Sequence, residues 1–164
     1  MNKFLQPLIK HTTYDPKSFF LIAGPCVVEN KENIHEVAST VKEICSRLGI
    51  PYIFKASYRK ANRTSSNSFT GLGDEEAMAL ISEIKSNYHL PVTTDIHTAP
   101  EAAWAAETVD ILQIPAFLCR QTDLLEAAAA TGKIVNIKKG QFLSGTSMKF
   151  AAEKAKHEIG RAHV

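Results

Sequence analysis

Four cations, Lys55, Lys60, Arg63 and Lys138, stand at the ends of short apolar runs or in the loop that follows one. Brought to one mouth, they would hold a strongly anionic small molecule through charge-assisted hydrogen bonds to phosphate or carboxylate. Arg63 is followed by Thr64 and Ser65, whose hydroxyl and backbone N–H groups can complete a phosphate site; Gly71 and Gly73 then allow a tight turn. Read alone, that segment is equally a basic, serine-containing surface loop. Asp95 is the one carboxylate on the inward parity of these runs. Among cations it would stay ionised and could accept a substrate hydroxyl or orient a water. It could equally be a salt-bridge partner that holds Lys55 or Lys138 in place.

Cys26 ends the first apolar run after Gly24-Pro25. Its thiol could be a nucleophile with His97 as the base, a metal ligand, or inert. A metal would need two or three further ligands, and the chain has no compact His, Cys and Glu cluster in sequence to supply them. Cys45 lies on a helical face and reads as core, whereas Cys119 reads as core or interface. Phe117, Leu118, Cys119 and Arg120 follow the fourth run and suggest a lid or a subunit contact, or else local packing under the next helix.

The elements that must position these groups alternate. Phe19–Cys26, Tyr52–Ser57, Val92–Ile96, Ile111–Pro115 and Ile134–Lys138 are short and rich in β-branched or aromatic residues, which marks strands. Between them lie helical patterns. In the first, Ile34, Val37, Val41, Ile44 and Leu48 recur at helical spacing, Asn33 and Glu36 form a capping box, and Gly49 is the stop. The second runs from Asp74 to Tyr88 with Met78, Ile81 and Ile84 on one face. The third opens on Thr98 and Glu101 in capping-box spacing with Pro100 in its first turn. The fourth covers Thr122 to Thr131 and ends at Gly132; the last begins near Ser147 and still runs at Lys156.

Repeated β/α alternation means parallel strands with right-handed crossovers, in a doubly wound sheet or a (β/α)₈ barrel. Parallel strands buried on both faces should be nearly all apolar. Here Lys55 and Ser57, Thr93 and Asp95 (with His97 next in phase), Gln113, and Asn136 and Lys138 break that rule, always on one parity and toward the strand's C-terminal end. Barrels and open α/β sheets place their active sites at that end.

The chain has 164 residues, 45% apolar and 22% charged, with net charge +2. That balance gives no reason to expect nucleic acid or a membrane as partner. An odd number of cysteines without a CxxC pair argues against a disulfide framework. No apolar run approaches the ~18 residues of a transmembrane helix, and no signal sequence is legible. A cytoplasmic protein is expected.

Several separated motifs in order carry a resemblance. Phe20–Cys26 (FLIAGPC) looks like the opening strand of phosphoenolpyruvate-dependent 3-deoxy-ald-2-ulosonate phosphate synthases. Phe54–Ser65 (FKASYRKANRTS), Thr94–His97, Leu112–Leu125 (LQIPAFLCRQTDLL) and Val135–Phe142 (VNIKKGQF) resemble the 3-deoxy-D-manno-octulosonate-8-phosphate synthase family. The resemblance implies a (β/α)₈ TIM barrel, here truncated after about five β/α units, and usually a homotetramer. It implies condensation of phosphoenolpyruvate with arabinose 5-phosphate and release of phosphate, in lipopolysaccharide precursor synthesis.

By position, the resemblance assigns Lys55, Lys60, Gln113 and Lys138 to phosphoenolpyruvate, Asn62, Arg63 and Thr64 to the aldose phosphate, and Ser57 to substrate binding. It places Phe117 beside the site, sends Arg120 into a neighbouring subunit's site, and puts Asp95, with Lys60, at the reacting centre. It makes Cys26 a ligand of a divalent metal, the mark of the family's metal-dependent class, with the other ligands expected beyond this chain. Arg59 stands where the family usually has Asp, and Thr64 replaces the usual Ser.

The expected organisation is a lead segment over 1–18, a partial barrel over 19–156 and a foreign or frame-shifted tail over 157–164, with the fragment inactive alone. Two other readings compete. One is a heptulosonate phosphate synthase using erythrose 4-phosphate, against which Lys60–Arg63 argues. The other is a non-catalytic domain that binds a phosphorylated ligand.

Overall fold

The computed structural model describes Leu8, residues 19–61 and residues 69–159, with the backbone alone for 157–159. The elements are β1 (Leu21–Ala23), α1 (Lys31–Leu48), β2 (Tyr52–Lys55), α2 (Asp74–Tyr88), β3 (Val92–Asp95), α3 (Ala99–Thr108), β4 (Ile111–Ile114), α4 (Thr122–Ala130), β5 (Ile134–Ile137) and α5 (Met148–Ile159). The strands are hydrogen-bonded in chain order, and the β1–β2, β2–β3 and β4–β5 pairings are parallel. In a doubly wound sheet the order reverses at a switch point. In a (β/α) barrel each unit adds its strand beside the last. The chain is therefore α/β, with five parallel strands in the order of a (β/α) barrel. No helix among the described residues is long and apolar enough to cross a membrane.

The chain forms two compact units, Met1–Thr93 and Thr94–Val164, whose boundary falls inside β3. In the first unit, Tyr52, Ile53 and Phe54 of β2, Ile34 and Ala38 of α1, and Met78, Ile81 and Ile84 of α2 are the buried core residues. The Tyr52 hydroxyl donates to the Ala23 carbonyl at 3.1 Å, so the ring is buried with its polar atom satisfied.

Three sequence expectations change here. First, α1 starts earlier than the Asn33 and Glu36 box implies. Asn30 is extended (φ −162°) and its side chain accepts the Asn33 N–H at 2.7 Å, which makes it the N-cap. Asn30→Ala should lower the stability of the chain by about 1 kcal/mol, read as a shift in the urea midpoint. Second, the buried face of α1 is Ile34, Ala38 and Cys45, whereas Ile44 and Leu48 are exposed. The apolar pattern has a heptad spacing, and a straight helix drifts away from it. Third, the first strand ends at Ala23 rather than at Cys26. Ala23 is registered with Phe54, and pairing resumes with Val27 against Ser57. Four steps along the first segment answer three along the second, so one extra residue is accommodated between them, as in a bulge.

In the second unit, β4 is buried along its whole length, as a strand covered on both faces must be. Glu101 reaches back to accept the Thr98 N–H at 3.2 Å and the His97 N–H at 2.7 Å, so α3 begins where its box predicts. The buried residues of α3 are Ala102, Ala105 and Ala106, and those of α4 include Ala128 and Ala129. These short side chains let neighbouring helices approach closely. After β4, Ala116–Leu118 form a single 3₁₀ turn that periodicity does not reveal.

Candidate active site

Asp95, Gln113 and Asn136 come from three neighbouring strands of the second unit. Gln113 is registered opposite Asn136. The Ile96 N–H donates to the Gln113 carbonyl at 3.0 Å, which sets Asp95 beside Gln113 in the parallel ladder. Their side chains join in one row. The Asn136 amide donates from Nδ2 to Gln113 Oε1 at 2.8 Å, and Gln113 donates from Nε2 to Asp95 Oδ1 at 2.6 Å. Asp95 is 8% exposed and Gln113 2%. Gln113 thus turns its nitrogen to Asp95 and its oxygen to Asn136. Strand parity singles out all three residues, but nothing in the sequence assigns Asn136 a role in a site.

Around this row the exposed groups differ in kind. Lys138 extends the β4–β5 ladder through its N–H, which donates to the Ile114 carbonyl at 3.0 Å, and its side chain is exposed. Lys139 is instead a loop tie: its Nζ donates to the Gly140 and Leu143 carbonyls at 2.9 and 3.0 Å. Cys119 is core, 3% exposed. Phe117 and Arg120 are exposed. Lys154 Nζ donates to Thr122 Oγ1 at 2.6 Å and lies 3.4 Å from the Arg120 carbonyl, which ties the start of α4 to α5. His97 Nδ1 lies 3.6 Å from Glu101, the carboxylate that caps α3.

In the first unit, Lys55 Nζ donates to Ser57 Oγ at 2.9 Å, so the two residues read as facing one way do meet. Thr93 is registered with Lys55, and its Oγ1 is buried with no hydrogen-bond partner among the described residues. The Lys60 N–H donates to the Thr70 carbonyl at 2.9 Å, and the Lys60 side chain is half-buried. Asn62, Arg63 and Thr64 lie outside the described residues. Arg59 pairs with Asp74 of α2 at 3.3 Å and lies against the Tyr58 ring, 5.6 Å from its centroid.

Of the cysteines, Cys45 is buried, and burial pushes its thiol above the usual range, so it is a poor nucleophile. Cys26 is exposed. Among the described residues no group of three His, Cys, Asp or Glu could hold a metal ion.

Three comparisons with known proteins bear on this arrangement. The chain is 61% identical over 133 residues to the 2-dehydro-3-deoxyphosphooctonate aldolase of Fusobacterium nucleatum, covering 81% of this chain and 48% of that protein. It is 51% identical over 146 residues to the protein of the same name from Aromatoleum aromaticum, covering 89% and 52%. For that of Burkholderia multivorans the identity is 54% over 140 residues, covering 85% and 49%. The chain thus spans about half the length of the curated relatives it matches. The family model described as the DAHP synthetase I family matches residues 11–161, which include every strand of the fold and the whole hydrogen-bonded row. With parallel strands in barrel order and polar groups gathered on one parity, the chain belongs to the DAHP synthetase I family.

Proposed function

We propose that this chain forms part of a synthase that condenses phosphoenolpyruvate with D-arabinose 5-phosphate and water to give 3-deoxy-D-manno-octulosonate 8-phosphate and inorganic phosphate. The observation that carries this reading is the 61% identity, over most of the chain, to a 2-dehydro-3-deoxyphosphooctonate aldolase. The product would enter lipopolysaccharide precursor synthesis in the cytoplasm, and the whole enzyme would be a homotetramer.

In the reaction, C3 of phosphoenolpyruvate bonds to the aldehyde carbon of the sugar and the aldehyde oxygen takes a proton. Water adds at C2, and the C2–O bond to phosphate then breaks. Lys55, Lys60 and Lys138 neutralise the carboxylate and phosphate of phosphoenolpyruvate. Ser57, which accepts from Lys55, and Gln113 fix its orientation. Asn62, Arg63 and Thr64 take the sugar phosphate, Phe117 lies alongside, and Arg120 reaches a neighbouring subunit. Asp95 orients the water or accepts a hydroxyl proton, with Lys60 as the companion acid. Cys26 fits a divalent metal as a single soft ligand. The described residues do not complete such a centre.

Phosphate release tests the reading. A protein that joins this segment to the remainder of the relatives' length should release phosphate only when phosphoenolpyruvate and arabinose 5-phosphate are both present. This chain alone should turn over neither. Release from phosphoenolpyruvate by itself, or none from the pair, would overturn the assignment. Faster release with erythrose 4-phosphate would move it to the heptulosonate reaction.

A further inference from the structure

We propose that Asn136 is a positioning residue: it holds the Gln113 side-chain amide in the one orientation that donates to Asp95. The inference rests on the proposed reaction only for its catalytic consequence; the hydrogen bonds stand without it. A glutamine amide is nearly symmetric in shape, and two orientations fit the same space. One presents Nε2 to Asp95, the other presents an oxygen and repels it. With its Nδ2 turned toward Gln113, Asn136 favours the first from the far side. Its Nδ2 donates to Gln113 Oε1 at 2.8 Å, an interaction available only when Gln113 Nε2 faces Asp95, where it lies 2.6 Å from Oδ1. The row is built into the backbone, because Gln113 and Asn136 are register partners in adjacent parallel strands. With Gln113 2% exposed, water is poorly placed to substitute for either bond. Asn136 therefore acts on Asp95 through Gln113 and has no need to touch a substrate.

The test uses the full chain and reads Gln113 and Asp95 directly by NMR. Exchange of the Gln113 side-chain NH₂ protons should be slower than that of Gln121, which is exposed. Asn136→Leu keeps the branched outline and removes the donor. It should speed Gln113 side-chain exchange about tenfold relative to the backbone amides of β4. It should also move the Asp95 carboxyl titration to higher pH, because the donor that favours the charged form is no longer held in place. In a Gln113→Leu background, Asn136→Leu should have no further effect on that titration, since the intermediary is gone. Asn136→Ser, a smaller perturbation that keeps a shorter donor, should fall between, and it serves if the leucine variant does not fold.

A purely structural Asn136 would lower global stability and leave both Gln113 exchange and the Asp95 titration unmoved, which overturns the proposal. So would a titration shift that persists in the Gln113→Leu background. All these measurements are made without substrate, so a failed relay leaves the synthase reading intact. An intact relay in a protein that releases no phosphate would reject the reaction and leave the relay.

Discussion

Gly24→Ala should be the most damaging single-methyl change in the first unit. A Cβ built at Gly24 would collide with the Lys55 carbonyl oxygen and lie 3.0 Å from its carbonyl carbon and 3.2 Å from the buried Phe54 ring. The nearest of these atoms belongs to the β2 backbone and cannot rotate away as a side chain could. The residue also sits at φ +154°, which an L side chain rarely adopts. The methyl can be housed only if the segment after β1 moves off β2 or if Lys55 is displaced. The expected loss is about 3 kcal/mol or more, in the range of overpacking added to backbone strain. Two other glycines separate these effects. Gly73 has φ +119° and Gly49 has φ +65°, and neither has an atom within 4 Å of the added methyl. Their alanine variants should lose only the conformational part, about 1–2 kcal/mol. Urea denaturation of the three variants checks the ranking. If Gly24→Ala is no worse than Gly73→Ala, close approach to Lys55 is not what requires glycine there. The same extra-residue segment carries Cys26 out of the ladder, so this glycine also sets where the thiol stands.

Much of this was legible in the chain itself, for a physical reason. Strands buried on both faces leave polar residues nowhere neutral to sit, so Asp95, Gln113 and Asn136 stood out against Val, Ile and Leu, and their common parity brought them together in one row. The caps of α3 and the bounds of α2 were equally readable, because Thr98, Glu101 and Gly73 act over a few residues. The errors lay where a longer-range match decides. The extra residue between Ala23 and Val27 exists only relative to β2, and no local pattern in Gly-Pro-Cys encodes it. On α1, Ile44 and Leu48 belong to the apolar pattern yet are exposed, whereas small Ala38 is buried. Hydrophobicity and burial part company where a helix must fit closely against its neighbours. Asn136 was seen, but its use was not, because its importance comes from the orientation it imposes on another side chain. Asn62, Arg63 and Thr64, the proposed aldose phosphate ligands, lie outside the described residues.

Gln113→Glu should make the second unit sensitive to pH in a way the parent chain is not. The change is isosteric, so packing is preserved. What changes is that the donor 2.6 Å from Asp95 becomes an oxygen. The other oxygen of the new carboxyl still accepts from Asn136, so the β5 side of the row is undisturbed. Two carboxylates this close, with Gln113 2% and Asp95 8% exposed, cannot both be ionised at tolerable cost, and the pair should keep a proton. Its folded pKa would then lie above the unfolded value near ~4. The folded state binds a proton that the unfolded chain releases, so stability relative to the parent falls as pH rises above that value and levels off once the folded pKa is passed. The expected penalty is small near about pH 4 and reaches about 3–5 kcal/mol at neutral pH, the cost of an uncompensated buried charge. Denaturant midpoints of both chains across that range measure it. An equal penalty at both ends would mean that residues 95 and 113 do not face each other. If Asp95 works as an ionised group, phosphate release by the extended protein carrying the change should fall as well. It should recover partly as pH is raised past the folded pKa, even while stability declines. A merely destabilised enzyme would lose activity and stability together as pH rises. Only a carboxylate needed in its charged form drives the two in opposite directions.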